Sequence, residues 1–257
     1  DVSTVTATGD QDVTYQNSGA NITGDTITNN LSSGTFTVVA DAANALDLTS
    51  ADADVFELAA DFGGNNVTVS DGDTVKLSNT QGAPVFLTSA TGDNTINVDV
   101  ETTTVGAAVF TDANFSTVNL EVDNNDNTTD TATFTAANFG ANNTVKASGS
   151  DNLTLAGATT AGSVNASNLS GVLTAALTAN FADVTGGSGN DVITAVGTNA
   201  ASTVATGGGD DSITLGANAQ ANDVSVDGGT GTDTVDLAGA VDTTGTRALS
   251  LSNVEIV

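Results

Sequence analysis

Hydrophobic residues in this chain recur at every second position over short runs. In "VTVS" they are Val67 and Val69, in "TVKLS" Val75 and Leu77, in "TINVDV" Ile96, Val98 and Val100, and in "TVNLEV" Val118, Leu120 and Val122. A period of two puts the apolar side chains on one face of an extended segment, so each run predicts a half-buried β-strand. The spacing of an amphipathic helix is hard to find. Between the runs lie clusters of Gly, Asp and Asn, such as "SDGDT", "TGDNT", "VDNNDNTTD" and "ASGSDN". These residues favour tight turns and tolerate left-handed backbone.

The runs are related to one another. "VFTDANFSTVNLEVDNNDN" is echoed by "TFTAANFGANNTVKASGSDN" and, more faintly, by "ALTANFADVTGGSGND". Such self-similarity predicts stacked rungs, and with them an all-β chain wound as a right-handed parallel β-solenoid. In these echoes Phe110 and Phe115 correspond to Phe134 and Phe139, and Phe181 stands where the later phenylalanine does. They are expected as aromatic plugs in the solenoid core. A soft boundary near residue 160 separates irregular Thr/Asn-rich rungs, residues 1–160, from rungs tightened around glycine-rich turns, residues 161–257.

One motif defines that second region. "GGSGNDVIT" places Gly186, Gly187, Gly189, Asp191 and Ile193 on the pattern G-G-x-G-x-D-x-U-x, where U is a large apolar residue. "GGTGTDTVD" repeats it with Gly228, Gly229, Gly231, Asp233 and Val235, and "TGGGDDSIT" nearly so with Gly207, Gly209, Asp211 and Ile213, Thr206 replacing the first glycine. Twenty residues separate Asp191 from Asp211 and twenty-two separate Asp211 from Asp233, about one solenoid turn each. The intervening half-turns, "TNAAST" and "GANAQAND", lack the glycines. Only one edge of the roll is therefore expected to carry the full motif.

Composition narrows the chemistry of that edge. Asp and Glu number 31 against three cations, Lys76, Lys146 and Arg247, for a formal charge of −28. Such a surface repels nucleic acid and anionic lipid. A hydrophobic content of 39%, rich in Val alongside abundant Thr, argues for buried strands rather than disorder. There is no Cys or His, so thiolate and imidazole metal sites are excluded and oxygen is the available donor. No apolar run approaches the ~20 residues that cross a bilayer. The absence of an initiator Met and the start at Asp1 in mid-pattern predict a piece of a longer chain.

Glycine lets a turn adopt positive φ and bring carbonyl oxygens inward, while each turn's aspartate points at its neighbour one rung away. Carboxylates about 5 Å apart repel by roughly 1 to 3 kcal/mol per pair at intermediate dielectric. A hard divalent cation reverses that sign. Flexible, many-oxygen coordination favours Ca²⁺ over Mg²⁺, and three stacked turns imply about two ions between them. Asp71, Asp73, Asp93, Asp123, Asp126 and Asp151, in the other polar clusters, are weaker candidates for calcium or plain solvated turns.

These turns resemble those of RTX (repeats-in-toxin) proteins. The longer run from "VTGGSGNDVIT" to "TVDLAGA", with "LSNVEIV" and the upstream Thr/Ala/Asn/Val-rich rungs, resembles RTX-type bacterial surface-layer (S-layer) proteins. The resemblance implies a calcium-binding β-roll in the C-terminal part, ordered by calcium outside the cell. It implies sites lined by Gly186, Gly187, Gly189, Asp191, Gly207, Gly208, Gly209, Asp211, Gly228, Gly229, Gly231 and Asp233, with Asn190 and Asp210 adjacent. It further implies export by a type I pathway to the bacterial cell surface.

The expected function is structural: a component of a calcium-dependent surface layer, where Ca²⁺ orders the solenoid and bridges acidic copies into a lattice, with cell-surface polysaccharide as a further partner. An RTX adhesin or biofilm-matrix module shares the acidic repeats and stays open, as does a calcium-triggered folding module of a larger secreted enzyme. Catalysis within this segment is not expected. No His or Cys supports a nucleophile, no G-x-S-x-G elbow occurs, and the glutamates Glu57, Glu101, Glu121 and Glu255 are scattered.

Overall fold

The computed structural model describes residues 4–17, 22, 24–83, 85–89, 94–101, 104–110, 115–123, 130–135, 143–159, 162–177, 183–195, 202–216, 223–238 and 248–255. Among them are twenty-four strands and no helix, hence none long and apolar enough to cross a membrane. Every strand pairing is parallel. A 2-stranded sheet pairs Thr4–Gly9 with Thr26–Leu31, and the remaining strands form a 12-stranded and a 10-stranded sheet. From Phe36–Ala40 onward successive strands alternate between the two large sheets, and each pairs with the next strand but one. The result is a β-solenoid whose rungs contribute one strand to each sheet.

The alternating runs become these strands. Asn66–Val69, Thr74–Leu77, Asn94–Val100 and Phe115–Val122 each bury their Val, Leu and Ile positions and turn Thr, Asn, Lys or Asp outward. Burying one such side chain contributes about 1.5–3 kcal/mol, so each rung is held mainly by the inward residues of its own two strands and its neighbours'. Phe115 and Phe134 are fully buried plugs, joined by Phe36, Phe56 and Phe62. Phe139, Phe181 and the side chain of Phe110 lie outside the described residues.

Both large sheets run through the compositional boundary: Thr144–Gly149 pairs with Ser163–Leu169, and Asn152–Thr159 with Leu173–Leu177. Residue 160 itself lies outside the described residues. What changes downstream is the core and the corner. From Val184 to Val235 the buried core is Val, Ile, Leu and Ala without an aromatic ring. The strand register places Val192, Ser212 and Thr234 directly above one another, which stacks the three preceding aspartates.

Candidate metal centre

Asp191, Asp211 and Asp233 each stand immediately before a strand of the 10-stranded sheet, at 0%, 2% and 0% exposure. They form a hydrogen-bonded ladder along one edge. The Leu173 N–H donates to Asp191 Oδ1 at 2.7 Å, the Asp191 N–H to Asp211 Oδ1 at 2.7 Å, and the Asp211 N–H to Asp233 Oδ1 at 2.9 Å. The Asp233 N–H continues it to Glu255 Oε2 at 2.8 Å. Each carboxylate thus holds the backbone of the rung before it, satisfying a buried donor that the corner would otherwise orphan.

A second ladder runs beside the first in the opposite sense. Asn190 Oδ1 accepts the Asp210 N–H at 2.8 Å, and Asp210 Oδ1 accepts the Thr232 N–H at 2.8 Å. Here the acceptor lies one rung before its donor. Asn190 and Asp210 are exposed, so they close the outer side of the corner while the three aspartates close the inner side.

The glycines allow the rungs to approach this closely. A Cβ on Gly187, Gly207 or Gly229 would collide with the carbonyl oxygen of Leu169, Gly187 or Gly207 respectively. A parallel column places Gly171, Gly189 and Gly209 carbonyls where Cβ atoms on Gly189, Gly209 and Gly231 would stand. Backbone hydrogen bonds follow the first column: Ser188 N–H to Leu169 O at 3.1 Å, Gly208 N–H to Gly187 O at 3.0 Å and Thr230 N–H to Gly207 O at 2.8 Å. The expected positive φ occurs at Gly207, Gly209, Gly229 and Gly231 but at none of Gly186, Gly187 and Gly189. In the first turn glycine is required by the approach of a neighbouring backbone alone.

The electrostatics of the ladder are those of ionised groups taken out of water. Burial pushes the Asp191 carboxyl from 3.8 to about 6, against the Leu173 and Gly187 amides that favour its charge, and the Asp211 charge adds to the rise. Burial likewise raises Asp211, helped by the charges of Asp233 and Asp210. Asp191 Oδ2 accepts the Gly187 N–H at 2.9 Å, whereas Asp211 Oδ2 and Asp233 Oδ2 have no hydrogen-bond partner. The Thr206 hydroxyl near Asp211 has one proton, which it donates to the Gly228 carbonyl at 2.8 Å.

This donor set fits a hard divalent cation. Two buried anionic oxygens stand without donors at a corner that also carries columns of backbone carbonyls, all of them oxygen ligands. Among the described residues no group of three or more acidic side chains is placed to hold an ion by itself. Carbonyls would complete the coordination, with the buried carboxylates supplying the charge. Glu255 carries no glycine-turn signal in the sequence, although it follows Asp233 by the same twenty-two residues that separate Asp233 from Asp211.

The weaker candidates act as corner caps. Asp71 Oδ1 accepts the Thr95 N–H at 2.8 Å, Asp73 Oδ2 the Ser70 N–H at 2.7 Å, and Asp151 Oδ1 the Asp130 N–H at 3.2 Å. Burial raises Asp73 to about 6, with the charges of Asp71 and Asp52 contributing and the Ser70 amide opposing. Asp123 precedes the segment 124–129, which with Asp93 and Asp126 lies outside the described residues.

Comparison with known proteins adds no relative. No family model matches the chain, and neither curated proteins nor solved structures give a match.

Proposed function

We propose that this chain is a structural module of a calcium-dependent bacterial surface layer, its glycine-turn edge forming an RTX-type β-roll wound in the right-handed sense usual for parallel crossovers. Calcium binds along the ladder and orders the C-terminal rungs. The observation that carries the reading is the stack of buried carboxylates Asp191, Asp211 and Asp233, with Asp211 Oδ2 and Asp233 Oδ2 lacking any donor. A buried ionised oxygen in that state is costly until a proton or a cation reaches it.

The charge of −28 supports the assembly half of the proposal. Copies this acidic repel one another at short range, and divalent cations bridging their faces remove the repulsion. Sites of this class bind with Kd of order 10⁻⁴ to 10⁻³ M in extracellular modules, so cytoplasmic calcium leaves them empty and calcium outside fills them. The module acts without catalysis, at the cell surface, in homo-oligomeric contact with its own copies. A receptor- or glycan-binding module would present aromatic rings, whereas the exposed large hydrophobic among the described residues is Val192.

Electron microscopy of the purified chain with millimolar calcium and with excess chelator tests this. Ordered arrays or filaments that dissolve in chelator are expected. Assembly that is indifferent to calcium, or monomers in both conditions, would remove the structural reading.

A further inference from the structure

The glycine turns differ at their first position, and the difference falls on the oxygens a cation would use. At Gly186 the bare Cα lets Asp191 Oδ2 of the same turn and the Thr206 carbonyl oxygen of the next turn close on one spot. At Gly228 the corresponding pair is Asp233 Oδ2 and the Asn253 carbonyl oxygen. Each pair joins a charged oxygen to a carbonyl across a junction between turns, a mixed donor set suited to calcium.

The middle junction is built otherwise. Thr206 occupies the first position, its side chain is fully buried, and its hydroxyl is bonded to the Gly228 carbonyl at 2.8 Å. The carbonyl that matches Thr206 O and Asn253 O is therefore already engaged by a proton. Thr206 also puts a Cβ, a methyl and a hydroxyl where the other two turns have no side chain.

The last junction lies partly outside the repeat. The turn Ser252–Glu255 contains no glycine, yet Asn253 takes φ 51°, the one non-glycine residue with positive φ among the described residues. That conformation aims its carbonyl at Gly228, and its Nδ2 donates to Asp227 Oδ1 at 2.7 Å, which holds the turn in place. Glu255 gives Oε2 to the Asp233 N–H, leaving its second carboxylate oxygen for a ligand. Asp233 itself is fully buried and its Oδ2 has no donor.

We infer that the residue at the first position of each turn decides whether the junction takes a cation. The junctions at Gly186 and Gly228 are open, the junction at Thr206 is closed by its side chain, and Asn253 and Glu255 complete the last site without any glycine repeat. This rests on the calcium reading above and adds to it where the ions go.

The test is the calcium bound per chain, from titration calorimetry and metal analysis on the whole 257-residue chain, with circular dichroism in chelator as a check on folding. Thr206→Gly opens the middle junction and is expected to add one ion. Glu255→Gln keeps an acceptor for the Asp233 N–H and removes the charge, so one ion is lost or weakened at least tenfold. Thr206→Val keeps the bulk without the hydroxyl and leaves the count unchanged. Loss of an ion in Thr206→Val would make that hydroxyl a ligand and overturn the inference, as would unaltered binding in both Thr206→Gly and Glu255→Gln. A wild-type chain that binds no calcium at all would instead sink the calcium reading itself.

Discussion

Residues 36–135 and residues 183–255 share the same two sheets, yet they close their corners by different means. In the first region the described corners carry individual caps. Asp54 Oδ2 accepts the Phe36 N–H at 2.7 Å, and the buried Gln81 accepts the Phe62 N–H at 2.6 Å while donating to Ala60 O at 3.0 Å and Asn79 O at 2.7 Å. Its core is plugged by phenylalanine. In the second region the corners repeat, closed by stacked carbonyls and a carboxylate ladder around an aliphatic core. Individual caps tolerate rungs of uneven length. A repeated corner lines up identical charges, and that alignment is why the proposed response to a cation belongs to the second region.

The largest effect that sharpens this contrast is in the aromatic core. Phe134→Ala removes a fully buried ring and is expected to cost about 3–5 kcal/mol, by the same amount in calcium and in chelator. Denaturant melts in the two conditions would show it. A cost that depends on calcium would mean that the two regions are not separable.

Next come two glycines that share a positive φ and differ in surroundings. Gly209 has φ 113° and the Gly189 carbonyl where its Cβ would go, whereas Gly72 has φ 84° and open space. Gly209→Ala is expected to cost about 3 kcal/mol, combining left-handed strain with overpacking. Gly72→Ala carries the strain alone, about 1 kcal/mol. Equal losses in thermal melts would mean that the stacked carbonyls do not constrain the repeated corner.

A smaller and more pointed effect is expected from Asp233→Asn. Asparagine keeps an acceptor for the Asp211 N–H and removes a buried charge that the Asp211 carboxylate opposes. The variant should melt at or above the wild type in chelator, by on the order of 1 kcal/mol, and lose much of the gain that calcium confers. An unchanged calcium gain would take Asp233 out of the site.

The smallest expected effect is with pH. Burial raises Asp73 and Asp191 from 3.8 to about 6, and burial with the Glu101 charge does the same to Asp99 against the pull of Lys76. The folded chain therefore holds protons between those values that the unfolded chain releases. Stability from these groups is present near pH 4 and falls as pH rises through 6, by about 1 kcal/mol for the buried Asp191 after solvent screening. Melting in chelator should drop from pH 4.5 to pH 7, and calcium, which favours the ionised form, should flatten the Asp191 share of that drop. A rise with pH in chelator would contradict the assigned burial.

The strands were legible because alternation over four to eight residues has one structural solution when a core lies on one side. The corner repeat was legible from glycine and aspartate at fixed spacing, which also set the register of Asp191, Asp211 and Asp233. Hidden from the sequence was the use of each aspartate's first oxygen on a backbone N–H one rung earlier, since that donor carries no side-chain signature. Glu255 was hidden because its turn has no glycine, and Asp54 and Gln81 because their partners lie one uneven rung away. The close approach at Gly186, Gly187 and Gly189 depends on the neighbouring rung's backbone, which a turn's own residues do not reveal.

Hydrogen exchange of the whole chain, followed residue by residue in millimolar calcium and in chelator, reads the effect of the cation on each rung separately. Exchange is predicted to slow on calcium addition at the amides of Asp191, Asp211 and Asp233 and along their strands, with strands Phe36–Ala40 to Asn94–Val100 unaltered. Protection that calcium leaves unchanged in residues 183–255, or that rises equally in both regions, would contradict the proposed ordering of the C-terminal rungs by calcium.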